Sequence, residues 1–268
     1  MERLTSVQNP LIKELSRLAD RKGRLESGCF LAEGVRLVGE ALASGAPVVR
    51  LLADDAGWPA LEAMLALHPG PEPICVTSEI LAKLSDTRSP QGIIAVVRLP
   101  ESALGRTGGA GWLAGRPRRI LALERVQDPG NVGTMIRTAD ACGFDRVVLS
   151  ADSADPWQPK VLRATMGSIW HVDPVIVPDL VEAAAAVRET GVRILAAHPR
   201  NAAPCWETDL ADGVMVVIGN EANGLSETML ALADRAVMVP MAGRAESLNA
   251  ASAASMLLYE SLRQRSGR

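Results

Sequence analysis

Residues 119–150 read RILALERVQDPGNVGTMIRTADACGFDRVVLS. An apolar run, RILALE, stops at Asp128-Pro129-Gly130, a turn signal, and apolar residues then recur at helical spacing until Gly143 opens a second run, RVVLS. Strand, helix and strand in about 30 residues make a parallel unit, because the helix is the crossover that brings the second strand back beside the first. The pattern continues. Strands are expected at PVIVP, RILAA, MVVIG and AVMVP, and helices at PKVLRATMGS, LVEAAAAVRET, SETMLALA and LNAASAASMLLYESLRQR. The fold class is therefore α/β with a mostly parallel sheet covered on both faces. In such sheets ligands sit beyond the carboxyl ends of the strands, so the loops after ILALE, MVVIG and AVMVP are the candidate site.

Upstream, residues 101–119 (ESALGRTGGAGWLAGRPRR) form a Gly-rich stretch without apolar period, read as a linker over 106–118. It separates a smaller α/β domain, residues 1–105, from residues 119–268. The smaller domain carries expected strands at CFLA, VVRLL, ICVTS and GIIAVV, and helices at VRLVGEALASG, PALEAMLALH and EILAKLSD. Its first helix is capped by Asn9 with Pro10 at the first position. Leu11, Leu15 and Leu18 form one stripe, and Lys13, Arg17, Arg21 and Arg24 a basic row opposite. The row is either a solvated face or a contact to RNA phosphates.

Composition narrows the classes. The chain has 268 residues, 48% hydrophobic and 22% charged, enough for ordinary globular cores. No apolar run approaches the roughly 20 residues of a membrane span, and the N-terminus lacks an apolar leader, so a cytoplasmic protein is expected. Cys29, Cys75, Cys142 and Cys205 lie far apart, as do His68, His171 and His198, which argues against disulfides and a zinc site; no metal is expected. The net charge of −3 gives no global field toward nucleic acid, and eight aromatic residues are too few for a base-stacking sheet. Any RNA contact is a local patch.

Three loops carry chemistry. In the first, Asn131 stands at an expected helix N-cap and Arg137 follows within two turns, a composition suited to an anion; as structure alone they are a cap and a surface charge. In the second, Gly219-Asn220-Glu221-Ala222-Asn223-Gly224 suits a tight loop with close backbone approach, and Ser226 is placed to cap the next helix. The string lacks G-x-G-x-x-G, which disfavours a nicotinamide oxidoreductase. In the third, Val239-Pro240 ends a strand and Ser247-Leu248-Asn249 opens an Ala- and Ser-rich helix.

In order, NVGTMIR, GNEANGL and VPMAGRAESLN resemble motifs 1, 2 and 3 of the SpoU/TrmH family of RNA ribose 2′-O-methyltransferases in the SPOUT superfamily. The pattern is Asn and Arg before a helix, then G-N-E-G-x-G-L, then I-P-M-x-G-x-x-x-S-L-N. DPWQPKVLRATMGSIWHV is similar to the stretch between motifs 1 and 2, and residues 6–42 to the substrate-binding domain fused in front of many members. Ala222, Val239 and Ala250 depart from the pattern. The resemblance implies a deep trefoil knot in the C-terminal domain, a homodimer, and S-adenosylmethionine bound near Gly219, Val239 and Leu248. It also implies a catalytic set of Arg137, Asn131, Ser247, Asn249 and Glu221, with Glu221 fixing the second loop or Asn131. Apart from the resemblance, Arg163 is a further candidate RNA contact beside the basic row. The fused domain points to large-subunit rRNA as substrate; a tRNA methyltransferase and a non-catalytic RNA-binding or assembly factor are the alternatives.

Overall fold

A computed structural model describes residues 3–103 and 109–267. Contacts divide the chain into two compact units, Met1–Pro100 with Asp155–His171, and Glu101–Ala154 with Val172–Arg268.

The first unit contains β1 (Arg3–Leu4), α1 (Pro10–Ser16), α2 (Arg21–Ser27), β2 (Cys29–Glu33), α3 (Val35–Ala43), β3 (Val48–Ala53), α4 (Trp58–Leu67), β4 (Pro73–Val76), α5 (Ser78–Leu84) and β5 (Ile93–Arg98). Its sheet runs β1-β4-β3-β5-β2, with β5 antiparallel to both neighbours and the other pairs parallel. Side chains alternate across a strand, so Leu31 joins Ile12, Leu15, Ile80 and Leu81 in one cluster while Phe30 points away from it. Phe30 packs instead on Trp157 and Trp170, ring centroids 5.0 and 5.8 Å away. Both tryptophans belong to the excursion 155–171, which the sequence reading assigns to the other domain; Trp170 also donates to the Leu37 carbonyl.

The single helix expected from Asn9 onward is broken. α1 ends at Ser16, a 3-10 turn covers Arg17–Ala19, and Asp20 is extended before α2. The buried residues are Ile12, Leu15 and Leu18, with Leu11 only half-buried. Gly23 lets α2 close on that turn, since a Cβ there would lie 1.9 Å from the Arg17 carbonyl oxygen.

The second unit contains β6 (Arg119–Leu123), α6 (Pro129–Ala141), β7 (Arg146–Ser150), then, beyond the excursion with its helix α7 (Pro159–Thr165), β8 (Asp173–Val177), α8 (Leu180–Glu189), β9 (Arg193–Ala197), β10 (Ala203–Pro204), β11 (Val214–Ile218), α9 (Glu227–Leu232), β12 (Arg235–Met238) and α10 (Ala250–Ser266). Its seven strands run β10-β12-β9-β11-β6-β7-β8, every pair parallel. The apolar runs are buried on both faces: Ile120, Ala122, Met215 and Val217 pack toward Leu180, Ala184 and Met229, while Leu121 and Leu123 alternate to the other side. Part of the linker read over 106–118 lies outside the described residues, but Gly109–Leu113 forms a 3-10 turn and Trp112 is buried in this core. No helix among the described residues is long and apolar enough to cross a membrane.

Candidate functional site

Strand order reverses at β6. From it the chain builds β7 and β8 on one side, then β9 and β11 on the other, so β6 and β11 meet at the switch point where open α/β sheets bind ligands. The loops leaving these two strands are the first two sequence motifs.

Asp128, not Asn131, caps α6: its carboxylate accepts from the Asn131 backbone N–H at 2.8 Å, and Pro129 takes the first position. Asn131 is thereby turned inside the first helical turn. Its amide nitrogen donates to Glu221 Oε1 at 2.9 Å, and its oxygen accepts from Asn249 Nδ2 at 3.1 Å. Asn249 in turn caps α10, accepting from the N–H groups of Ala251 and Ser252. One residue from each motif thus joins a single hydrogen-bonded row. Glu221 also accepts from the N–H groups of Gln127 and Asp128, both at 3.4 Å. Partial burial works to raise the Glu221 carboxyl, but the bonds from Asn131, its own N–H and these two amides outweigh it and hold it below the usual carboxylate range.

The second loop is shaped from within. Asn220 Oδ1 accepts from the N–H groups of Ala222 and Asn223, its Nδ2 donates to the Arg125 carbonyl, and its backbone pairs with Gly224. The chain folds back so closely that a Cβ on Gly219 would lie 2.4 Å from the Gly224 carbonyl carbon. Of this loop only Gly224 has positive φ, at 67°, so Ala222 fits without strain. Ser226 caps α9 as expected, and its N–H and hydroxyl bind buried Glu124 at 2.8 and 2.6 Å. Glu124 is an organising residue that sequence reasoning misses, while Asp128 and Asn220, read there only as parts of a turn and a loop, hold the first helix start and the second loop in place. A charged residue closing the apolar run ILALE was the available signal for Glu124.

Gly219, Val239 and Leu248 line one cavity of about 550 Å³ at the carboxyl ends of β9, β11 and β12, together with Glu221, Ser247 and Asn249. Asn131 lies outside it, in an open groove of about 500 Å³ with Thr134, Asn249, Met256 and Tyr259. Arg137 borders neither; it is exposed on α6 and enters no hydrogen bond or ion pair among the described residues. No cluster of three metal-ligating side chains occurs among the described residues.

The basic row does not survive as a row. Lys13, Arg17 and Arg21 are exposed, with Arg17 paired to Glu26 at 2.8 Å. Arg24 is only 3% exposed: it binds Asp155 at 2.6 Å and the carbonyls of Leu18 and Ala19. Arg24 is therefore not the RNA contact expected from the sequence but a buried brace that closes the carbonyl end of the 3-10 turn. Arg163 is half-buried and paired with Asp86 at 2.8 Å.

Residues 118–259 match the SpoU rRNA Methylase family, and residues 9–95 match an MRM3-like substrate binding domain. The 23S rRNA (guanosine(2553)-2′-O)-methyltransferase RlmP of Bacillus subtilis is 35% identical, the alignment covering 97% of this chain and 98% of that one. A 23S rRNA (uridine(2479)-2′-O)-methyltransferase of Streptomyces viridochromogenes is 34% identical over 94% of this chain and 88% of its own length. The crystal structure of the SpoU methyltransferase AviRb from that organism, in complex with AdoMet, superimposes with a TM-score of 0.82 at 32% identity, covering 97% of this chain and all of that chain (100%).

Proposed function

The chain belongs to the SpoU rRNA methylase family, and from that premise we propose how it transfers a methyl group from S-adenosylmethionine to a ribose 2′-hydroxyl of large-subunit rRNA. The observation that carries this reading is the cavity lined by Gly219, Val239 and Leu248, joined to Asn131 by the Glu221 and Asn249 bonds. Its volume of about 550 Å³ suits a nucleoside-sized ligand, and its glycine loop and apolar Val237, Val239 and Leu257 suit an adenosyl group held by backbone atoms. The bound cofactor supplies an electrophilic methyl on a sulfonium. The RNA reading of the substrate is supported by relatives that act on 23S rRNA along nearly the whole chain, which favours rRNA over tRNA.

The chain's own residues position and polarise. Asn131 has one amide hydrogen and its oxygen committed, which fixes the plane of the amide and leaves its second hydrogen for a substrate oxygen. Arg137 cannot serve as base, because its guanidinium keeps its proton; it clamps the phosphate next to the target ribose and polarises the hydroxyl, whose proton passes to water or phosphate. Ser247, exposed at the cavity, orients the ribose. Lys13, Arg17 and Arg21, with Arg163, contribute RNA contacts from the first unit.

Two finer features belong to the same reading. The C-terminal segment forms a trefoil knot, supported by the return of residues 239–249 from β12, so that α10 packs on α6 and β11. A second copy packs on Met256 and Tyr259, which are 47% and 63% exposed on α10 at the edge of the groove, making a cytoplasmic homodimer that leaves Asn131 open to RNA. The test is methylation of in vitro transcribed 23S rRNA and of bulk tRNA with labelled S-adenosylmethionine, followed by nucleoside analysis. One 2′-O-methylnucleoside in the rRNA is expected. Label in tRNA alone would overturn the substrate assignment.

A further inference from the structure

Five arginines among the described residues enclose a guanidinium nitrogen that has no hydrogen-bond partner: Arg24, Arg119, Arg125, Arg146 and Arg163. Four of them satisfy another nitrogen of the same group, Arg24 on Asp155, Arg119 on Asp145, Arg146 on the Asp145 carbonyl and Arg163 on Asp86. Arg125 pairs no guanidinium nitrogen among the described residues. The enclosed Arg125 Nε is closed to solvent, so an anion would meet the two terminal nitrogens, which pair with nothing among the described residues. Because the group cannot shed its charge, an anion held there would offset the cost of enclosing part of it.

The backbone supplies a second, independent observation. Arg125 has φ 57°, a left-handed conformation that a residue with a long side chain rarely takes and that glycine takes freely. The conformation is imposed from both sides. The Arg125 N–H donates to Ser150 Oγ at 2.8 Å, and its carbonyl accepts from Asn220 Nδ2 at 2.8 Å. Ser150 itself is fixed by Asp152 and Ser153. The preceding Glu124 is tied to Ser226, the following Val126 N–H donates to Ser153 Oγ at 3.2 Å, and Gln127, two residues on, donates to Glu221 of the second loop. Arg125 therefore stands at the switch point between β6 and β11, in a strained conformation, with an unpaired cation. It is absent from the lining of the cofactor cavity, which argues against the cofactor carboxylate as its partner.

We propose that Arg125 is a substrate-contact residue whose guanidinium takes the phosphodiester oxygens of the RNA strand bearing the target ribose; this rests on the rRNA methyltransferase reading above. The guanidinium fork matches two phosphate oxygens, and the strained backbone fixes the direction of the side chain before RNA arrives. The residue acts on substrate affinity and register, not on the methyl transfer itself.

Arg125→Gly separates conformation from charge, since glycine relieves the left-handed strain while deleting the cation. In the full chain, with in vitro transcribed 23S rRNA as probe, KM for RNA should rise about tenfold. The slope of log binding against log salt should flatten by about 0.7–0.9. Tm should equal or exceed that of the parent, and S-adenosylmethionine affinity by calorimetry should stay unchanged. Arg125→Lys should recover part of the RNA affinity, and Arg125→Gln, which keeps the strained backbone, should not. An unchanged KM and salt slope in the Gly and Gln variants would overturn the proposal, as would loss of cofactor affinity, which would move Arg125 to the cofactor. Failure of the parent protein to methylate either rRNA or tRNA would instead remove the reading on which the proposal stands.

Discussion

Two helical stretches open alike, each with a side-chain cap followed by proline: Asn9-Pro10 and Asp128-Pro129. They then part. α6 runs 13 residues without a break and leaves Arg137 in solvent, whereas α1 stops after 7 and the chain turns, so that Arg24 folds under to meet the carbonyls of Leu18 and Ala19. Helical spacing alone would have put both arginines on open faces. What decides is where backbone carbonyls are left without partners: a broken helix offers a guanidinium something to bind, and an unbroken one does not. One arginine is spent on the fold and the other is free for a substrate.

The contrast is sharpest in turnover. Arg137→Ala should lower kcat by about 10²–10³, the scale for removing one preorganised hydrogen-bond donor from a transition state, with stability and S-adenosylmethionine affinity close to the parent. Arg137→Lys should keep part of the activity, since the charge remains while the fork is lost. Steady-state kinetics with calorimetry checks both, and a lysine variant no better than alanine would argue against an electrostatic role.

Stability should show the reverse asymmetry. Arg24→Ala leaves Asp155, whose side chain is only 12% exposed, without its partner, and should cost about 3–5 kcal/mol in chemical denaturation. If Arg24→Ala were instead neutral for stability and harmful to RNA binding, the comparison between the two helices would collapse.

The smallest effect is expected from the remaining exposed cations. Replacing Arg17 and Arg21 together by alanine should flatten the salt dependence of rRNA binding by about one to two phosphate contacts and leave Tm nearly unchanged, because the Arg17–Glu26 pair is exposed. An unchanged salt slope, measured by filter binding, would return these residues to a solvated face.

Much of the second unit was legible because a buried parallel strand writes itself as a short apolar run and its crossover as a helical period. RILALE, RVVLS and MVVIG all became strands. The two-residue strands β1 and β10 have no pattern to read, and their pairing is set by neighbours distant in sequence. Within the site, Asp-Pro-Gly-Asn offers two competent caps, and the proline decides between them: at the first helical position it leaves Asp128 as the cap and draws Asn131 inward. Gly219, Val239 and Leu248 meet in one cavity because loops at the same edge of a parallel sheet must converge. The burial of Arg24 was out of reach, its partner Asp155 lying 131 residues further along the chain.

That excursion also bears on synthesis at the ribosome. The first unit needs Trp157 and Trp170 against Phe30, and Asp155 against Arg24, yet the chain reaches Pro100 long before it reaches His171. At roughly 5–20 residues per second, the nascent sheet waits several seconds with Phe30 uncovered. By then β6, α6 and β7 have already emerged, so the amino-terminal unit matures only while its neighbour is being made.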